Sequence, residues 1–403
     1  MKLGRIAFFA LLSGVGIALV LFGSRDGAPP DDAALHVAPA APDDFANAQI
    51  TLTSAAALLV RDADDARWEA FTRGDGWDKA LVARALEANE PALRAFARAA
   101  RQSEFFSRGD ETPSELVAWI DLARLQGVRA IALARGGDAS GASDAALVGL
   151  RVARVAAGGA GGSRLLREVA AAMHDASTGA LRTALEQVAL PPELSARLAQ
   201  ELAALRSDPV AVRAQLAAEY RSFAAVVRSD RAPALPAQAG GVRWLSSMLP
   251  ASYAHQPNNT LRLYANAARA QIEAASEACA GAQEALLDAG GVSALRPNAI
   301  GRHWIDRAGS LGEIRRTACR ADTRLEALRA ALGVQRFEHE RGALPPSLDA
   351  LVPGYLEDAP WDFMQGGALR LDRSAREIVS TGLWDAEPGA TPREERFALL
   401  PPR

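Results

Sequence analysis

The sequence predicts a mainly α protein with a small α/β appendage near its C-terminal end, and three observations carry that expectation. Apolar residues make up 49% of the 403-residue chain, and alanine inflates that share, so the core must come from closely approaching helices. Aromatics are only 6% and runs of β-branched residues are rare, which leaves little material for sheets. Apolar positions three and four apart recur between breaks marked by Gly and Pro. With 23% charged residues the composition is globular, and a chain of this length can bury a sizeable core.

The first elements concern location. Residues 1–5 carry Lys2 and Arg5 and read as a cytoplasmic N-terminus. Residues 6–22 carry no charge and are apolar apart from Ser13 and glycines, and as a helix they would span roughly 25 Å, near the lower limit for crossing a bilayer. The charges before it are basic and Asp26, Asp31 and Asp32 follow it. That polarity orients a single-pass inner-membrane protein with its body facing the periplasm. A cleaved secretory signal is the competing reading. In Leu21-Phe22-Gly23-Ser24 a bulky residue occupies −3 for either plausible cut, which favours an uncleaved signal anchor. Residues 23–49 are rich in Ala, Pro and Asp and read as a semi-extended linker that holds the body off the lipid.

Residues 50–341 are expected to form an antiparallel helical array. Helical spacing begins near Thr53, breaks at Gly74-Asp75-Gly76, and resumes over residues 77–87 and 91–106. Thr112-Pro113 opens a helix over 114–134, and Gly136-Gly137 ends it. Further helices are expected over 139–157, 163–188, from Pro191-Pro192 onward, 260–288 and 311–341, with short connections that favour antiparallel neighbours. Residues 342–390 change character. A short helix opens at Leu344-Pro345 and closes at Val352-Pro353-Gly354, and residues 368–372 and 376–380 read as two strands around a turn. Residues 391–403 are left as a tail.

Two resemblances add to this. Residues Ala132-Leu133-Ala134-Arg135-Gly136-Gly137-Asp138, with Ala142, Ala146 and Leu150, resemble one tetratricopeptide-type hairpin, in which small residues allow close helix approach. No 34-residue period surrounds it, so an irregular array is expected. Residues 325–383 resemble the C-terminal segment of the major pseudopilins of type II secretion. The match runs through Gln335-Arg336-Phe337-Glu338-His339-Glu340-Arg341-Gly342, Leu344-Pro345, Pro360-Trp361-Asp362 and Ile378-Val379-Ser380-Thr381-Gly382. At the other end Gly4 is followed by Arg5-Ile6-Ala7-Phe8-Phe9, without the glutamate of a pseudopilin, so processing and fibre assembly are not implied. Gln256-Pro257-Asn258-Asn259-Thr260-Leu261 with Leu263-Tyr264-Ala265 resembles a segment of uncharacterised membrane-anchored helical envelope proteins. These resemblances imply a location and a shape.

Chemistry is harder to find. Formal net charge is −3 with both signs interspersed, so no basic field exists for nucleic acid. Cys279 and Cys319 are the only cysteines; they read either as a disulfide in an oxidising compartment or as two buried thiols. The five histidines show no ligand spacing, and Gly158-Gly159-Ala160-Gly161-Gly162-Ser163 lacks the Lys of a phosphate loop, so no metal or cofactor is expected. No catalytic set stands out. Trp244, Tyr253, His255, Asn258, Asn259 and Tyr264 concentrate aromatic and polar groups and read either as core or as a docking patch. The expected function is a non-enzymatic, membrane-anchored scaffold that binds envelope proteins. The alternative is a periplasmic enzyme using His255, Asn258 or His339 in an inter-helix cleft.

Overall fold

The structure, a computed structural model, describes residues 22–37, 40–61, 70–107, 109, 111–159, 164–229, 250–279, 297–308, 311–382 and 393–401. The anchor expected at residues 6–22 therefore lies, apart from Phe22, outside the described residues, as does Trp244. No helix among the described residues is long and apolar enough to cross a membrane. The fold is mainly helical with a small antiparallel sheet region at the C-terminal end. It divides into two compact units, one of residues 1–37, 216–274 and 283–312, the other of residues 38–215, 275–282 and 313–403.

The larger unit is built on helices α1 (Ala48–Ala57), α2 (Lys79–Ala88), α3 (Glu90–Ala99), α4 (Pro113–Arg135), α5 (Ala139–Ala157), α6 (Arg164–Gln187) and α7 (Pro192–Ala204). It also holds the start of α8 (Pro209–Arg228) and most of α12 (Leu311–Arg341). Helices α4, α5 and α6 pack pairwise, and α1 lies against α3. Thr112 starts α4 with a capping box, its hydroxyl accepting from the N–H of Glu115 while the Glu115 carboxylate accepts from the N–H of Thr112. Gly137, at φ +83°, turns the chain between α4 and α5, and Asp138 caps α5. Small residues set the helix spacing. At Gly127 an added Cβ would stand only 2.6 Å from the Ala180 Cβ, so α4 and α6 approach backbone to backbone there. Phe96, Trp119, Leu122 and Met173 fill one part of the core, and Ile131, Leu150, Leu181 and Leu332 fill the other.

Two helices end earlier than their spacing suggests. Helix α3 stops at Ala99, not near Phe106, because Asn47 claims the backbone of Phe106 with two 3.0 Å hydrogen bonds while Ala48 N–H donates to the Glu104 carbonyl. The helix expected over 260–288 stops at Glu273 and passes through a 3₁₀ turn, Ala274–Ser276, before Cys279 donates its N–H to the Phe363 carbonyl at 2.8 Å.

The C-terminal piece has β1 (Trp361–Asp362) paired with β2 (Gly367–Ala368), and an antiparallel sheet of β3 (Arg370–Asp372), β4 (Glu377–Gly382) and β5 (Arg393–Ala398). Ile378 pairs with Leu371 on one side and Phe397 on the other. Strand β5 falls in the stretch expected to be a tail. It is too charged to read as a strand from alternation; its antiparallel ladder with β4 holds it, and ion pairs run alongside, Arg396 to Glu377 at 2.9 Å and Arg370 to Glu394 at 2.8 Å.

The smaller unit holds residues 22–37, the rest of α8, and helices α9 (Ala251–Ala254), α10 (Pro257–Glu273) and α11 (Ala299–Ala308). Tyr264 is fully buried, with the Phe223 ring 4.0 Å and the Tyr220 ring 6.3 Å from its own. Asn298, at φ +60°, closes the turn before α11 by accepting from the Gln256 N–H at 3.0 Å. Within the stretch expected to be a spacer, residues 23–37 make side-chain-specific bonds to α8 and α10, and Ala33–His36 form a 3₁₀ turn.

Candidate functional site

Helix α12 sets Arg315, Cys319, Asp322, Glu326 and Arg329 at alternating steps of four and three residues, which lines them along one face. The turn between α7 and α8 brings Arg206 and Ser207 to that face. Between them lies a cleft of about 60 Å³ lined by Ser207, Glu277, Arg315, Cys319, Asp322 and Phe363, among others. That space admits a few water-sized groups and no more.

Asp322 is the chemically distinctive residue. It is 6% exposed, and its Oδ1 accepts from Ser207 N–H at 2.8 Å and Ser207 Oγ at 3.0 Å. Burial raises its pKa to about 7, with the neighbouring Glu326 carboxylate adding to the rise and Ser207 and Arg206 opposing it. Asp322 can therefore hold or release a proton near neutrality inside the cleft. Arg315 is 2% exposed and donates to the carbonyls of Glu277 at 3.2 Å and Ala278 at 3.4 Å. Its burial lowers its pKa against the opposing charge of Glu277.

One turn further along α12 is an ion-pair hub. Glu326, fully buried, accepts from Arg206 at 2.7 Å and from Arg329 at 2.7 Å, and from Trp361 N–H at 3.3 Å. Arg329, 2% exposed, also pairs with Asp358, as does Arg206 at 3.4 Å. Burial pushes the Asp358 carboxyl upward, but the two arginines outweigh it and hold the group below its ordinary value. The hub joins the α7–α8 turn, α12 and the start of the C-terminal piece with every charge answered, the condition under which buried ions are tolerated.

The sequence-derived candidates fall in different places. Cys279 and Cys319 are joined in a disulfide, with Cα atoms 6.4 Å apart, against Phe363, Met364 and Phe397. In the smaller unit Tyr253, His255, Asn258 and Asn259 do come together, but around the chain's own residues 22–28. Asn258 and Asn259 donate their N–H groups to Asp26 at 3.0 Å each, and Asn258 Nδ2 donates to the Gly27 carbonyl at 2.9 Å. Tyr264 sits in the core instead of on a docking face, because its ring is enclosed by Tyr220 and Phe223. His255 packs edge-on to Trp304 at 5.1 Å, and its burial lowers its pKa, partly offset by Asp26. His339 lies in the last turn of α12. Among the described residues no group of His, Cys, Asp and Glu could hold a metal ion.

No family model matches the chain, nor does any curated protein or solved structure compared with it. Asp322, Glu326 and Arg329 were absent from the sequence-derived candidates. The signal that could have found them is their four-three spacing, which is the seam of a helix facing a neighbour, occupied here by charges where apolar residues are the rule.

Proposed function

We propose that the chain is a single-pass inner-membrane protein whose helical body faces the periplasm and binds other envelope proteins without catalysing a reaction. The observation that carries this reading is the Cys279–Cys319 disulfide, since such bridges persist in oxidising compartments and are rare in the cytosol. The order of basic residues, apolar run and acidic residues at the N-terminus supports the same orientation. For partner binding, an open groove of about 360 Å³ between α2, α3 and α4 is lined by Leu86, Ala132 and Leu133 with Glu87, Glu90 and Arg129. It suits an apolar side chain flanked by a basic one.

The test combines location with capture. Carbonate-washed membranes should retain the protein, non-reducing mass spectrometry should find the bridge, and protease added to spheroplasts should digest the body. Cross-linking in intact envelopes should then return partners that Leu133→Asp loses. A carbonate-soluble or reduced native protein would overturn the location, and captures indifferent to Leu133→Asp would overturn the groove's part. A second reading, an enzyme working in an inter-helix cleft, is favoured by Asp322 alone. An envelope-localised activity abolished by Asp322→Asn in a folded protein would put it first.

A further inference from the structure

The smaller unit grips the chain directly after its apolar run. The Gly23 carbonyl accepts a hydrogen bond from Gln256 Nε2, and the Tyr253 ring packs against Gly23 so closely that a Cβ there would stand 2.6 Å from it. Asp26 then accepts the first free N–H groups of α10, those of Asn258 and Asn259, and Arg262 donates to the Ala28 carbonyl. Further on, Asp32 accepts from Tyr220 Oη, from Arg228 at 2.9 Å and from His36 at 3.0 Å. Arg221 donates to the carbonyls of Leu35 at 3.2 Å and Val37 at 3.0 Å.

From this strap we infer that the smaller unit is seated on the phospholipid headgroup layer, as a platform with no slack between it and the membrane helix. The inference rests on reading residues 6–22 as an anchor. Were residues 23–49 a free coil, their root-mean-square reach would be roughly 29 Å, and the body would float clear of the lipid. The first grip instead lies one residue past Phe22, about 3.5 Å of chain. An apolar run spanning roughly 25 Å of a core about 30 Å thick puts its end no further out than the interface. The headgroup layer beyond is only about 5–8 Å deep, so Tyr253, Gln256, Asn258 and Arg262 stand within it or on it. The exit itself has interfacial chemistry. Phe22 is 69% exposed, and the Arg25 guanidinium lies 5.1 Å from its ring centroid, an aromatic and a phosphate-binding cation side by side.

The experiment uses full-length protein in vesicles of phosphatidylethanolamine and phosphatidylglycerol. A benzophenone amino acid replaces Ser252 or Leu263, both exposed in this unit and flanking the grip. Illumination should give adducts heavier by one phospholipid from at least one position. The yield should fall several-fold in Asp26→Ala/Gln256→Ala, which releases the strap, and in the milder Asn258→Ala if the double variant melts. Carbonate-resistant protein that forms no lipid adduct, or only protein adducts, would overturn the platform while leaving the anchor intact. Protein released by carbonate would overturn the anchor reading, and the platform with it.

Discussion

Asp322 and Asp32 are two partly or wholly buried carboxylates whose titrations act on stability with opposite sign. Burial holds Asp322 protonated up to about pH 7, against 3.8 for an ordinary aspartate, so the folded state binds more protons than the unfolded one across that window. Stability should therefore fall as pH rises from about 4 to 7, by roughly 4 kcal/mol if the whole displacement is felt. Asp322→Asn keeps an acceptor for Ser207 and removes the buried charge. We expect it to flatten this slope and to melt above the wild type at pH 8; a variant less stable than wild type at pH 8 would refute this account. Asp32 behaves the other way. Burial raises its pKa, but hydrogen bonds from Tyr220 and His36 and the charge of Arg228 bring it below 3.8, so its contribution is present above that pH and is lost on acidification. At the hub, Glu326→Ala would leave Arg206 and Arg329, one of them almost fully buried, sharing the Asp358 carboxylate, and should cost about 3 kcal/mol in urea unfolding. A loss under 1 kcal/mol would mean that water replaces the carboxylate.

At the scale of elements, helices bounded by Pro, Gly and capping residues were legible. Thr112-Pro113 and Gly136-Gly137-Asp138 place α4 and α5 to within a residue, because each boundary has a local chemical cause. Boundaries set by distant residues were not. Helix α3 ends where Asn47 takes over the backbone more than fifty residues away, and β5 forms because β4 offers it a six-residue antiparallel edge, with Phe397 opposite Ile378. The cleft was hidden for a related reason: a polar seam on α12 looks like a solvated face until the α7–α8 turn is folded over it. The disulfide ties α12 to the segment after α10, across a loop of 40 residues. In the chain-entropy model a bridge of that separation stabilises by about 4 kcal/mol. Cys279→Ser should lower the urea midpoint accordingly, and reductant should lower that of the wild type but not of the variant. Identical wild-type unfolding with and without reductant would show that the bridge does not constrain the unfolded chain.

At the scale of the whole molecule, the division into two units gives the strap a local task. Asp32 touches Tyr220, His36 and Arg228, all within the smaller unit, whereas Trp119, Ile131 and Leu181 belong to the core of the other. Removing its carboxylate leaves the Tyr220 hydroxyl and a guanidinium without their acceptor, a loss of about 1–3 kcal/mol. If the units open separately, that loss should appear only where the strap binds. Native-state hydrogen exchange of Asp32→Ala should then show faster exchange in residues 22–37, in α10 and in the last turns of α8. Protection in α4, α5 and α6 should stay at the wild-type level. A uniform rise in exchange through both sets of helices would mean that the molecule opens as one cooperative body, and residues 22–37 would then stabilise all of it.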